Sequence, residues 1–311
     1  MKRAILLVLS VVLTCNLSSQ NKVDINKPMY GEAEKSEKFK KADEEFRKTT
    51  LEKFGNVDSA VVDYVENAWS FFYHNNLEAA MRRFNQAWLL NPECPDAYFG
   101  FAALLEMQGN YTEATRFYLL GSEKDRNNKQ TIACFYRIAE CKEQLNDLQG
   151  AIGALLKISQ FTPNEVFLFK KMGQLYLTLK NNTLALDAFT RAIELDPKDP
   201  MTFFNRAVLH QSLDAHGKAI VDYTNCIILD KTNVDAYVNR GIMELYMGNH
   251  AAGKQDFETG TQLNAKSGII WRYLGIANLS LNDRPGACEN FSTAKQLGDT
   301  EVDDLISKYC K

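Results

Sequence analysis

Apolar residues recur at spacings of three and four along the chain from about residue 61, and short polar segments interrupt them at regular intervals. This spacing places the apolar side chains on one face of an α-helix. The interruptions carry asparagine, aspartate or glycine, as in Asn75-Asn76 and Gly109-Asn110, and such residues mark turns. The pattern predicts a succession of amphipathic helices joined by short turns.

These helices repeat with a period of 34 residues. In seven places a small residue stands four positions before a large apolar or aromatic residue, and the successive steps are 34, 37, 34, 34, 34 and 34. The pairs are Ala80/Phe84, Ala114/Tyr118, Ala151/Leu155, Ala185/Phe189, Ala219/Tyr223, Gly253/Phe257 and Ala287/Phe291. An insertion of three residues near Asp125–Thr131 accounts for the one longer step. Because a single hairpin cannot bury its apolar face, neighbouring hairpins must stack.

A second column of small residues lies twelve positions earlier, and a column of rings lies four positions before that. The order aromatic, small, small, aromatic, proline resembles the tetratricopeptide repeat. Phe169, Gly173, Ala185, Phe189 and Pro197 carry the best match. The resemblance implies an all-α, right-handed superhelical solenoid of about seven helical hairpins with a concave inner surface.

The register divides the chain into a leader, two caps and seven repeat units. Residues 34–60 carry dense charge beside an apolar stripe and are predicted to form an N-terminal capping helix, preceded by a flexible lead at 20–33. Residues 302–311 are predicted to form a C-terminal capping helix. The predicted units are 61–94, 95–128, 132–165, 166–199, 200–233, 234–267 and 268–301.

The first residues resemble an export signal. Lys2 and Arg3 precede an apolar run from Ala4 to Leu13, and small and polar residues follow up to Ser19. The run has 10 residues, whereas a bilayer-spanning helix needs about 20. We therefore predict a signal peptide at 1–19 and no transmembrane span after cleavage. A retained anchor helix and a lipid anchor at Cys15 are the alternatives.

Composition and charge exclude several function classes. The chain is 45% hydrophobic and 24% charged with a net charge of −3, so no basic surface indicates nucleic-acid binding. The four histidines lie far apart without metal-ligand spacing, and there is no glycine-rich phosphate-binding loop. We expect no catalytic residues, no metal site and no cofactor, and hence no enzyme.

Six cysteines follow residue 19. Cys288 and Cys310 stand at similar distances on either side of the turn near Gly298, so adjacent antiparallel helices would bring their thiols together. Such a bond would stabilise a chain terminus. Cys134 and Cys141 are seven residues apart on one helix, too far for a disulfide. The alternative for Cys288 and Cys310 is two independent thiols.

In the family that the repeat resembles, ligands lie along the first helix of each hairpin. The corresponding positions are Trp69, Phe72, Tyr73, Phe99, Tyr136, Arg137, Lys170, Gln174, Phe204, Asn205, Asn239, Tyr246, Arg272 and Tyr273. The rings of Trp69, Phe72 and Tyr73 suit an apolar peptide anchor, or they pack on the N-terminal cap.

Chaperone-binding members of the family hold a C-terminal carboxylate in a clamp of lysine, asparagine and arginine side chains. Lys170, Gln174 and Asn205 resemble the first half of that clamp. Asp235 and Asn239 stand where the second half would need basic residues, so the resemblance does not extend to chaperone-tail binding.

These observations favour a non-catalytic protein-interaction scaffold of the bacterial cell envelope, periplasmic or associated with the outer membrane. Its partner would be a protein, bound as a peptide or a helix in the concave groove. Two alternatives remain. The chain could be a self-assembling structural subunit of an envelope complex, or an accessory protein associated with carbohydrate or peptidoglycan.

Overall fold

A computed structural model of the protein describes residues 23–125, 128 and 130–310. The proposed signal peptide and Cys15 lie outside the described residues. All regular structure in the described part is helical. The helices are α1 (Glu37–Phe54), α2 (Val57–Tyr73), α3 (Leu77–Leu90), α4 (Pro95–Met107), α5 (Tyr111–Lys124), α6 (Thr131–Gln144), α7 (Leu148–Phe161), α8 (Val166–Thr178), α9 (Asn182–Leu195), α10 (Pro200–Ser212), α11 (His216–Leu229), α12 (Val234–Tyr246), α13 (His250–Leu263), α14 (Gly268–Ser280), α15 (Arg284–Gln296) and α16 (Asp303–Tyr309).

The described residues form two compact units, which divide between residues 163 and 164. Within each unit, consecutive helices pair as hairpins, and each hairpin packs on the next. This arrangement is the one that the sequence register predicts. Among the described residues, no helix combines the length and the apolar character that a bilayer span requires.

One turn geometry recurs inside the hairpins. A residue with positive φ ends the first helix, as at Asn75 (59°) and Lys180 (56°). An asparagine or aspartate then caps the second helix: the Asn76 side chain accepts from Ala79 N at 3.2 Å, and that of Asp147 accepts from Gly150 N at 2.9 Å. Such a cap pairs one of the N–H groups that a helix start leaves unsatisfied.

At one of these turns the capping side chain is missing. Ala215 precedes α11 with φ −84° and ψ 55°, close to the backbone of the capped turns, but makes no side-chain cap bond. We expect Ala215→Asn to raise the free energy of unfolding by about 1 kcal/mol, measured by urea unfolding. The same change at exposed Ala265, outside any helix start, is the control. An equal gain at both positions would contradict the capping explanation.

In the first unit an unbroken series of rings forms the core. Phe84 lies 5.1 Å from Trp69 and 6.3 Å from Phe101, between ring centroids, and Phe101 lies 5.6 Å from Phe117. Phe84, Phe101 and Phe117 are buried. Because these rings come from α3, α4 and α5, they tie consecutive hairpins together.

The N-terminal cap is one helix, α1, followed by a break. Gly55 ends α1 with φ +80°, a conformation that favours glycine, and α2 begins at Val57. The segment 34–60 predicted as a single capping helix is therefore divided, and the first repeat helix starts before residue 61. Phe46 and Phe54 of α1 contact the Tyr64 ring at 5.7 and 6.1 Å.

Residues 23–33, predicted as part of a flexible lead, are held against α3. The buried Asn85 amide donates to Ile25 O at 3.2 Å and to Lys27 O at 2.8 Å, and its oxygen accepts from Tyr30 N at 3.3 Å. The Tyr30 ring contacts Trp88 edge-on at 6.3 Å. The lead is not the flexible segment that the sequence predicted, because the buried Asn85 side chain pairs with three of its backbone groups.

Asp125, which follows α5, pairs with the residues that begin α6. Its carboxylate accepts from Gln130 N at 2.7 Å, from Thr131 N at 3.0 Å and from Thr131 Oγ1 at 3.1 Å. The buried carboxylate thus pairs N–H groups at the start of α6 and restores the register of the repeat after the insertion.

In the second unit, buried phenylalanines of the second helices pack directly on glycines of the first helices. A Cβ added at Gly173, Gly241 or Gly275 would lie 2.6, 2.8 or 2.4 Å from the nearest ring atom of a phenylalanine. The rings belong to Phe189, Phe257 and Phe291. The close approach of the ring excludes a larger residue at these three positions, which accounts for the glycines in the column of small residues.

The C-terminal cap closes the second unit. Val302 is buried with Phe291, and Leu305 and Ile306 of α16 pack against the same cluster. Cys288 of α15 and Cys310 after α16 form a disulfide with a Cα–Cα distance of 5.6 Å. A covalent link thus joins the cap to the last hairpin.

Candidate functional site

An open cavity of about 390 Å³ lies on the first helices of the three hairpins in the first unit. Its walls are mainly aromatic and aliphatic, and its polar groups gather around Arg137 and Glu106. The lining residues are Trp69, Phe72, Phe99, Ala103, Glu106, Met107, Tyr111, Tyr118, Gln130, Ala133, Cys134 and Arg137. A concave apolar surface with a few convergent polar groups is typical of a binding site.

Helical spacing places these side chains on one surface. Phe99 and Ala103 of α4 are four residues apart, as are Ala133 and Arg137 of α6, so each pair shares a helix face. Phe99 can lie flat against α5 because Gly121 has no side chain: a Cβ there would be 2.3 Å from the ring. The sequence predictions Trp69, Phe72, Phe99 and Arg137 therefore meet in one cavity.

The aromatic group of α2 packs on itself and on α3. The Trp69 ring lies 5.3 Å from Phe72, 6.1 Å from Tyr73 and 5.1 Å from Phe84. The ring contacts of the N-terminal cap are made to Tyr64 instead. None of these ring contacts joins Trp69, Phe72 or Tyr73 to α1, and Tyr73 is 78% exposed.

A hydrogen-bonded ion cluster forms the polar end of the cavity. Glu106 accepts from the Tyr118 hydroxyl at 2.8 Å, from Arg137 Nε at 3.1 Å and from Arg137 Nη2. Arg137 also donates to Glu140. Burial, reinforced by the Glu106 carboxylate, raises the pKa of Tyr118, so its hydroxyl stays a donor across the physiological range. One guanidinium therefore faces two carboxylates.

Glu106 and Tyr118 were not among the predicted site residues. Tyr118 belongs to the second helix of its hairpin, and Glu106 pairs with Arg137 across a separation of 31 residues. The column of small and large residues assigns Tyr118 to the core, and the insertion changes the spacing between the helices that carry Glu106 and Arg137. No local pattern therefore reveals this cluster.

The predicted groove residues of the second unit make contacts within the protein. Lys170 pairs with Asp199 at 2.8 Å, and Arg272 pairs with Asp299 at 2.8 Å and with Glu301 at 2.7 Å. Lys170 is therefore neutralised within its own unit, and Arg272 holds residues that precede the C-terminal cap. Hydrogen bonds and attraction from Lys170 outweigh burial and lower the pKa of Asp199.

The aromatic and amide residues among the predicted groove residues of the second unit differ in exposure. Tyr273 stacks on buried Phe257 at 5.6 Å and Phe204 contacts Tyr223 at 5.7 Å, so both rings are partly used in the core. Tyr246 is 71% exposed and stacks on His216 at 5.2 Å. Gln174 is exposed, whereas Asn205 and Asn239 are half-buried, as is Tyr136 of the first unit.

The described residues contain no group of three or more histidine, cysteine, aspartate or glutamate side chains arranged to hold a metal ion. His210 is half-buried, with Nε2 3.8 Å from Asp222 Oδ2. Burial lowers the pKa of His210 although Asp222 opposes that shift, so the ring is neutral near pH 7.

The four free cysteines among the described residues are buried. Burial raises the pKa of Cys134 to about 12 and of Cys141 and Cys226 to about 11, and it also raises that of Cys94. Because the thiolate is the nucleophile, we expect no fast reaction with a disulfide reagent at pH 8 in the folded chain cleaved after residue 19. In denaturant, four thiols per chain should react with the reagent. A thiol that reacts fast in the folded chain would contradict the burial of these cysteines.

Stacked helical hairpins whose first helices carry an open, partly aromatic binding surface define a repeat scaffold of the protein-interaction class. Residues 71–133 and 171–199 match two tetratricopeptide-repeat family models. The chain therefore carries tetratricopeptide repeats. Proteins of this family are typically non-catalytic scaffolds that bind protein or peptide partners, and the chain belongs to that class.

Solved structures show the same fold. The C-terminal part of a TPR repeat-containing protein from Cytophaga hutchinsonii is 16% identical, with 76% of this chain and 96% of that chain covered and a TM-score of 0.63. MamA protein is 22% identical, with 58% and 96% covered and a TM-score of 0.51. MamA from Desulfovibrio magneticus RS-1 is 16% identical, with 54% and 97% covered and a TM-score of 0.50. A search of curated proteins found no significant match.

Proposed function

We propose that this protein is an interaction scaffold of the bacterial cell envelope that binds a peptide or a partner helix at the cavity of its first unit. The carrying observation is that cavity: about 390 Å³, open, and lined by Trp69, Phe72, Phe99 and Met107 beside a polar cluster. Buried aromatic and aliphatic surfaces with a polar rim are where interfaces concentrate their binding energy.

Two features support an envelope location, periplasmic or at the outer membrane. Residues 1–19 have the charged start, short apolar run and small-residue exit of an export signal. The disulfide between Cys288 and Cys310 suits an oxidising compartment. Mass spectrometry of the mature N terminus, after expression in a Gram-negative host, tests this part. A start near Gln20 supports cleavage, and a lipid-modified start at Cys15 supports a lipid anchor. An uncleaved N terminus in the membrane fraction supports a retained anchor helix, and an uncleaved chain in the cytoplasm would contradict export.

Site-specific photo-cross-linking tests the binding site. Met107 lines the cavity and is 54% exposed, so a photo-reactive residue there should capture the partner in the native host. Leu119 of α5, 41% exposed and outside the cavity lining, is the matched control. Equal adducts at both positions, or none at Met107, would contradict the proposal. An adduct with a second copy of the chain would support the self-assembly alternative.

A further inference from the structure

The charges around the cavity indicate the chemistry of its ligand. Of the described residues that line it, Arg137 is the only basic one, and its donors already meet Glu106 and Glu140. Glu106 has a side chain only 13% exposed and three donors on it, whereas the Glu140 side chain is 56% exposed. The cluster therefore carries one more negative than positive charge, and its exposed face consists of the Glu140 carboxylate beside the Arg137 side chain, which is 48% exposed.

Two further carboxylates lie near the same opening. Exposed Glu66 precedes Trp69 by three residues on α2, which makes them neighbours on the helix surface. Asp96 accepts a hydrogen bond from the Gln130 amide, which lines the cavity, at 2.6 Å. An anionic ligand group would be repelled by these carboxylates and would have to compete with Glu106 and Glu140 for Arg137. A cationic group would be attracted to them.

We propose that the cavity binds a protein segment in which a large apolar residue is flanked by lysine or arginine. The apolar side chain enters between Trp69, Phe99 and Met107, and the flanking cations meet the carboxylates at the opening, Glu140 first among them. This inference rests on the proposed function, because it specifies the ligand of the same cavity.

Three synthetic peptides test the proposal with the purified chain. They share one central phenylalanine in an otherwise identical serine- and glycine-containing segment, and their two flanking residues are lysine, glutamate or serine. By fluorescence anisotropy at low salt, the lysine peptide should bind roughly three- to tenfold more tightly than the glutamate peptide, with the serine peptide between them. Added salt should reduce this difference, because the charges are exposed.

Two variants locate the effect, each with a matched control. Glu140→Lys should reverse the preference for the lysine peptide, whereas Glu123→Lys should preserve it, since exposed Glu123 of α5 does not line the cavity. Ala133→Trp should block all three peptides by filling the cavity opening. Ala252→Trp should block none: Ala133 and Ala252 are both exposed third residues of their helices, and only Ala133 lines the cavity.

The outcomes test the binding cavity and the charge preference of its ligand separately. Equal binding of the lysine and glutamate peptides, abolished by Ala133→Trp, would overturn the charge inference and leave the binding cavity in place. Tighter binding of the glutamate peptide would assign the site to an acidic ligand at Arg137 and also overturn the inference. If no peptide binds at millimolar concentration, or if Ala133→Trp changes nothing, the cavity itself is not the docking point. Circular dichroism spectra of all four variants verify that each is folded.

Discussion

Replacing Phe257 with alanine is expected to lower the free energy of unfolding of the second unit by about 3–5 kcal/mol. The ring is fully buried, stacks on Tyr273 and packs in one cluster with Ile270 and Leu274. Truncation removes the apolar surface that the ring buries and leaves a void between two consecutive hairpins. Urea unfolding followed by circular dichroism, with hydrogen exchange to localise the loss, provides the measurement.

The glycine beneath the ring gives a second, linked expectation. A Cβ at Gly241 would lie 2.8 Å from Phe257 Cε1, so Gly241→Ala overpacks the contact at a cost of about 1–3 kcal/mol. The gain in helix propensity is at most about 1 kcal/mol, so the net effect should be destabilising. In a Phe257→Leu background the clash is relieved, and the combined loss should be smaller than the sum of the two single losses.

An exposed residue of the same unit is the control. Ile228 is 65% exposed, and its replacement by alanine should change stability by no more than about 0.5 kcal/mol. A similar loss at Phe257 and Ile228, or strict additivity of the Gly241 and Phe257 changes, would show that the ring–glycine contact does not hold the two helices of the hairpin together.

The same contact explains why the fold was predictable from the sequence. Close approach of a ring such as Phe189 to Gly173 demands a small residue beneath the ring, and a glycine or alanine returns at that position in every hairpin. Because the same steric constraint recurs in each hairpin, small residues recur in the sequence at the period of the repeat. The disulfide pairing of Cys288 with Cys310 was predictable for a similar reason, because hairpin geometry sets which helix ends meet.

The site was predictable only in part. Trp69, Phe99 and Arg137 were predicted because they occupy the inner positions of the first helices, which follow from the register. Lys170 occupies such a position too, but its Asp199 partner lies 29 residues away, and spacing alone does not show that two exposed-looking charges pair. The hydrogen bonds between Asn85 and the lead likewise join segments that are about 60 residues apart in the sequence.

One periodic feature of the second unit could have been found and was missed. Arg206 donates to Asp222 through Nε at 2.8 Å and Nη2 at 2.7 Å, and through Nη1 to Thr190 at 3.1 Å. The next hairpin repeats this arrangement with Arg240, Asp256 and Thr224, each 34 residues further on. Threonine, arginine and aspartate at successive separations of 16 residues are visible in the sequence, but a search for apolar columns passes over them.

Asp222→Ala is expected to destabilise the second unit by about 3–5 kcal/mol, because it leaves the Arg206 guanidinium without its charge partner in a mostly buried place. The Arg206 side chain is 19% exposed and that of Asp222 is 3% exposed, so water cannot replace the carboxylate without rearrangement. The double variant Arg206→Met, Asp222→Leu should recover most of the loss, since it leaves no buried charge unpaired.

The exposed pair Lys254–Glu258, 3.8 Å apart with side chains 32% and 49% exposed, provides the contrast. Glu258→Ala should cost less than about 1 kcal/mol. Urea unfolding of the three variants measures these effects. If Asp222→Ala costs no more than Glu258→Ala, the guanidinium has found water or another acceptor. If the double variant is as unstable as Asp222→Ala, the unpaired charge is not the cause. If Asp222→Ala instead costs much more than Glu258→Ala and the double variant recovers most of that loss, a buried ion pair repeated in consecutive hairpins stabilises them in addition to the ring–glycine contacts.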